Sequence, residues 1–126
     1  MKLRIKGDSL RLRLTRGEVQ QLADSGSVEE RVHMTPSGVL AYRVRRTPDA
    51  ATLGATFVAN VIEVQVPEKT ALDWCASDLV TLEQVQPHGA VRLRIVVEKD
   101  FACLAPRADE DESDNFPHPN EGSAQC

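Results

Sequence analysis

Apolar and polar side chains alternate with period two from the start of the chain. Leu3 and Ile5 fall on one side, Lys2, Arg4 and Lys6 on the other. After Gly7-Asp8-Ser9 the alternation resumes, with Leu10, Leu12 and Leu14 opposed to Arg11 and Arg13. Two alternating runs about a Gly-Asp pair predict a β-hairpin. Thr15-Arg16-Gly17-Glu18 then matches a capping box, in which the Thr hydroxyl accepts from the Glu18 amide while the Glu18 carboxylate reaches back. With Val19 and Leu22 at helical spacing and Gly26 as a C-terminal stop, the pattern predicts a short helix over 16–25.

Val28, Val32 and Met34 alternate again, Pro36-Ser37-Gly38 is a turn, and Leu40, Tyr42 and Val44 oppose Arg43 and Arg45 in a strand over 39–46. Strand-like runs follow at 56–58 and 61–66, joined by Ala59-Asn60. Pro67 suits the first turn of a second helix, whose apolar stripe is Ala71, Leu72, Trp74 and Cys75. Runs at 79–85 and 91–97, about Pro87-His88-Gly89, complete the series.

A shift of about 52 residues lays one half on the other. Gly7-Asp8 falls on Ala59-Asn60, Leu10/Leu12/Leu14 on Ile62/Val64/Val66, and Leu22 on Trp74. The expected fold is α+β: about eight mainly antiparallel strands, as a barrel or two packed sheets, with two short helices and an internal ββαββ duplication. Residues 1–100 form the domain, with pseudo-repeats over about 1–50 and 53–100. Residues 101–126 are an acidic C-terminal tail.

Charge supports that division. Up to Asp100 there are 14 Lys and Arg against 13 Asp and Glu; beyond it Arg107 stands alone against six acids, giving −4 overall. A near-neutral body gives nucleic acid no footing, and 4% aromatic residues supply little stacking surface. No apolar stretch reaches membrane-helix length, and the alternating N-terminus lacks a secretory h-region, so a cytoplasmic setting with reduced thiols is expected.

Three groups of residues carry candidate chemistry. Arg11/Arg13, Arg43/Arg45 and Arg92/Arg94 are i,i+2 pairs on three strands. If those strands are neighbours, the guanidinium groups share a face and clamp an anion. The competing expectation is a solvated face pairing across strands with Glu29, Glu63 or Glu83. A triphosphate-binding tunnel would also need alternating acids for metal in the first strand, and K-L-R-I-K has none. Cys103, His118 and Cys126 offer thiolate and imidazole ligands for a metal ion, at spacings that match no standard zinc module. His33 and His88 have no ligand-spaced neighbours and are expected to be structural or exposed. Phe101, Leu104 and Phe116 punctuate the acidic tail as apolar anchors that would dock it on the body. No nucleophile elbow, phosphate loop or zincin motif is present, and no catalytic residue is assigned.

K-L-R-I-K-G-D-S-L-R-L-R-L at the start and V-E-K-D-F-A-C-L…E-D-E-S-D-N-F-P-H-P near the end resemble an uncharacterised family of small bacterial proteins. The resemblance spans nearly the whole chain and implies no activity. The sequence therefore points to a small, non-enzymatic binding or accessory protein acting through a protein partner or a small anion. No cofactor is expected. The alternatives are a metal-binding or redox-responsive role for Cys103, His118 and Cys126, and an anion-binding module built on the arginines.

Overall fold

Thr15 caps the first helix as its sequence dictates. Its Oγ1 accepts from Glu18 N at 3.3 Å, and Thr15 N donates to Glu18 Oε1 at 2.9 Å. Gly26, at φ +87°, ends the helix and returns its N–H to Leu22 O. The left-handed conformation there favours glycine, which has no Cβ to clash. The hairpin turns carry the same signature, with Gly7, Ala59, Asn60 and Gly89 all at positive φ.

The computed structural model describes residues 1–102 and 114–116. Its elements are β1 Lys2–Ile5, β2 Ser9–Leu14, α1 Arg16–Ser25, β3 Ser27–His33, β4 Val39–Thr47, β5 Gly54–Val58, β6 Val61–Pro67, α2 Glu68–Ala76, β7 Thr81–His88 and β8 Val91–Lys99. They form two open four-stranded sheets, ordered β1-β2-β8-β7 and β3-β4-β6-β5. The fold is α+β and mostly strand; of the two expected architectures it is the paired sheets, not the barrel.

Antiparallel hairpins flank each sheet, yet both central pairs are parallel: β2 with β8 and β4 with β6. Short turns make only antiparallel neighbours, as the sequence implied. The parallel pairs join strands separated by a helix and a hairpin or more. Each sheet therefore takes one hairpin from each half of the chain. The two parallel ladders share a register: an offset of 52 residues takes Ser9 to Val61, and one of 53 takes Ala41 to its counterpart Arg94.

Trp74, Leu12, Leu14, Leu22, Ile95, Val44, Val64, Val66 and Val97 are fully buried between the sheets and helices. Leu22 and Trp74 are thus both sealed in the core, one from each helix. The second helical stripe needs correction. Ala71 and Trp74 are buried, but Leu72 is exposed and Cys75 only half-buried, because α2 turns a narrower face inward. Pro67 closes β6 as the N-cap of α2 rather than entering its first turn. Leu79 is exposed before β7, which starts at Thr81. No described helix is long and apolar enough to cross a membrane.

One side chain ties the sheets together at an edge. Gln86 of β7 accepts from Ala55 N at 2.7 Å and donates to Ala55 O at 3.1 Å, filling the backbone groups of edge strand β5 as a neighbouring strand would. Replacing it by leucine keeps the bulk but strands both Ala55 groups, and Ala55 is buried. Gln86→Leu is expected to cost about 1–3 kcal/mol in urea unfolding. An unchanged midpoint would show the clip to be idle.

Candidate functional site

The register of the first sheet decides which of its charged side chains meet. Lys2 is opposite Arg13, and Arg4 opposite Arg11. Ser9 is in register with Arg94, Arg11 with Val96 and Arg13 with Glu98. Glu83 faces Val96, Val85 faces Arg94, and Pro87 faces Arg92. Registered neighbours share a face, and Leu10, Leu12, Leu14, Ile95 and Val97 occupy the opposite, inward one. The strands of the outward face thus carry six cations (Lys2, Arg4, Arg11, Arg13, Arg92, Arg94) against two carboxylates, Glu83 and Glu98, with a third, Asp100, at the rim 3.1 Å from Lys2 Nζ.

Those two acids organise the middle of the face. Glu98 is nearly buried and accepts from Arg13 Nε at 2.7 Å and from Arg11 Nη1 at 3.3 Å. Glu83 accepts from Arg94 Nε, and this hydrogen bond holds the Glu83 carboxyl below its ordinary pKa. Val96 is only 2% exposed although it lies outside the core cluster, so even the apolar position of this face is covered.

Arg43 and Arg45, expected on the same ladder, lie instead on the outward face of the other sheet, because β4 pairs with β6 and β3. There Glu63 accepts from Arg43 Nε at 2.6 Å, Arg45 Nη2 at 3.0 Å and Gln65 Nε2 at 2.8 Å. Burial opposes the Glu63 charge, but the hydrogen bonds from Arg45, Gln65 and Arg43 outweigh it and pull its pKa to about 2. Glu29 accepts from Arg31 Nε at 3.0 Å and from Arg43 Nη1 at 3.2 Å. Three cations thus meet two acids on this face.

In both sheets one carboxylate on a central strand bridges two arginines on the parallel neighbour, with the donor strands exchanged. β2 supplies the arginines in one sheet, and β4 in the other. The expected cross-strand pairing with Glu29, Glu63 and Glu83 is present at all three.

A second feature lies where the helices meet the end of β8. Arg46 donates to Leu22 O at 3.2 Å and Ala23 O at 3.4 Å, closing the C-terminal end of α1, and pairs with Glu68 at 2.6 Å. Lys99, 53 residues later, donates to Ser77 O at 2.6 Å beyond α2 and sits 5.3 Å over the Trp74 ring. Cations suit helix C-termini, where carbonyls are left unpaired. The sequence reading missed both residues; the signal was the same offset that aligned the halves.

Beside Lys99 opens a cleft of about 690 Å³ whose lining includes Leu14, Arg16, Val19, Cys75, Lys99 and Phe101. Cys75, expected buried, lines this cleft half-exposed, with Sγ 3.5 Å from Val19 O. Burial raises its pKa despite the opposing pull of Lys99 and Arg46. The thiol therefore stays protonated near neutrality and is a poor nucleophile.

The remaining candidates separate. His33 and His88 are exposed, the latter 2.9 Å from Gln86 Nε2. Phe101 is 59% exposed at the cleft and Phe116 97% exposed, so neither ring is buried against the body. Leu104, Cys103, His118 and Cys126 lie outside the described residues. Among the described residues, no three His, Cys, Asp or Glu side chains converge in a metal-binding group.

No curated protein and no solved structure matches this chain. A family model matches residues 1–120, spanning both sheets, both helices and the acidic run. The chain belongs to that family, described as a family of unknown function (DUF7009).

Proposed function

We propose that the protein is a non-enzymatic binding module whose working surface is the outward face of the β1-β2-β8-β7 sheet and whose partner is an acidic stretch of polypeptide. The observation that carries this reading is the imbalance of that face: six cations on three adjacent strands against two acids on the strands and Asp100 at the rim, where the other sheet has three against two. Guanidinium forks recognise carboxylates in two-pronged fashion. A flat strand surface suits an extended chain better than a small molecule, which prefers a concavity. Among the described residues the face carries no aromatic ring to stack a base, and the net charge of −4 disfavours nucleic acid. The chain is read as two ββαββ units exchanging hairpins. The inward faces supply stability, and one outward face supplies recognition.

Fluorescein-labelled poly-L-glutamate at low salt tests this. Native protein should bind it, and binding should weaken with ionic strength. Arg92→Ala/Arg94→Ala should weaken binding about five- to thirtyfold, since two exposed ion pairs contribute up to about 1 kcal/mol each. Arg31→Ala/Arg45→Ala, on the other face, should leave it unchanged. Equal loss from both pairs would sink the assignment of the face. Tighter binding of an oligonucleotide than of poly-L-glutamate would sink the assignment of the partner.

A further inference from the structure

We infer that the cationic face reads a mixed motif, an acidic residue and an apolar one two positions apart in an extended chain, at the corner formed by Arg92, Arg94, Val85 and Pro87. The inference rests on that face being the recognition surface, and it names the partner's pattern. The cations of the face are unequally engaged. Arg11 and Arg13 are largely covered and held by Glu98, and Lys2 is held by Asp100. Arg94 is held by Glu83, yet its side chain is 47% exposed. Arg92 is exposed, and it makes no hydrogen bond or ion pair among the described residues. An incoming carboxylate therefore meets Arg92 without first breaking an ion pair.

The same corner holds open apolar surface. Val96 is sealed, whereas Val85 is 44% exposed and Pro87 is exposed too. Register places Pro87 opposite Arg92 and Val85 opposite Arg94, so guanidinium groups line one side of a square and apolar side chains the other. Diagonal neighbours on an antiparallel pair are about 7–8 Å apart. An extended chain advances about 7 Å between side chains on one side, two residues at about 3.3 Å each. A carboxylate on Arg92 thereby sets the side chain two positions on over Val85. Glu83 lies two residues before Val85 on the same face, and a second carboxylate there would meet a like charge. An apolar side chain gains instead from covering Val85 and Pro87. The corner thus favours an acid alternating with an apolar residue over acid alone.

Two fluorescein-labelled peptides of identical composition and charge test this on the native chain. Repeats of Glu-Ser-Leu-Ser place acid and leucine on one side of an extended chain; repeats of Glu-Leu-Ser-Ser place them on opposite sides. The first should bind about five- to tenfold more tightly, the gain from covering about 50 Å² of apolar surface. Because the charges are equal, that ratio should survive added salt while both affinities fall. Val85→Ser should bring the two affinities together, and Arg92→Ala should weaken both. Equal affinity of the native protein for the two peptides would overturn the mixed motif, and poly-L-glutamate binding would then leave the face as a reader of acids. A preference that Val85→Ser does not reduce would place the leucine elsewhere and overturn the corner. Failure of the native protein to bind either peptide or poly-L-glutamate would overturn both readings.

Discussion

Trp74→Ala is expected to destabilise the protein by about 3–5 kcal/mol, with loss of cooperative unfolding at 37 °C. The indole is fully buried at the junction of α2 and both sheets, so truncation forfeits its transfer free energy and leaves a cavity that neighbouring Leu and Val side chains fill only in part. It also removes the hydrogen bond from Trp74 Nε1 to Val80 O at 3.0 Å. Lys99, poised over the ring, would keep its bond to Ser77 O but lose its aromatic partner. Trp74→Phe separates these contributions: it should retain most of the packing and lose the hydrogen bond, costing about 1–2 kcal/mol. Urea unfolding followed by circular dichroism measures both. A Trp74→Ala cost below about 1 kcal/mol would mean that the core does not pivot on this residue.

That Leu22 and Trp74 are both buried was legible in the sequence, because both are large apolar positions at the same distance past the end of an alternating strand. The capping box, the hairpin turns and the strand count were legible for the same reason: each is a local pattern, written within a few residues. What the sequence could not express is partnership at a distance. Alternation in β2 says that Leu12 faces one way and Arg13 the other. It is silent on whether the neighbour is β8 or β4, so the arginine pairs were legible and their division between two sheets was not. Cys75 failed for a narrower reason: adjacent to Trp74 on a short helix, it lies about 100° round the axis, far enough to leave the core.

Acid should remove about 2 kcal/mol of stability through Glu63 alone. Its folded pKa, about 2, lies below the ordinary 4.5. The carboxylate therefore stabilises the fold fully above the unfolded value, and the contribution disappears as pH falls from about 5 towards 2. The full shift would correspond to about 3 kcal/mol, reduced because Arg43 and Arg45 are partly exposed and screened by water. Glu63→Gln, which preserves shape and removes the charge, should be less stable than native at pH 7 by about 2 kcal/mol and nearly equal to it at pH 2. A difference that persists unchanged at pH 2 would show that packing, not charge, sets the cost.

The two parallel ladders place very different demands on a chain emerging from a ribosome. β4 meets β6 at a separation of 20 residues, Ala41 with Val61 through Thr47 with Pro67, so that pair can close once the middle of the chain is out. β2 must wait for β8, with Ser9 paired to Arg94. Until the last strand arrives, the β1–β2 hairpin has an unpaired inner edge and an apolar face with no completed partner, the condition under which strands find the wrong neighbour. Arg11 and Arg13 line that waiting edge, and their repulsion of one another and of other copies guards it before Glu98 is made. The same arginines that mark the mature face thus sit on the sheet edge whose partner is farthest along the chain, and replacing them with apolar residues is expected to raise aggregation during refolding.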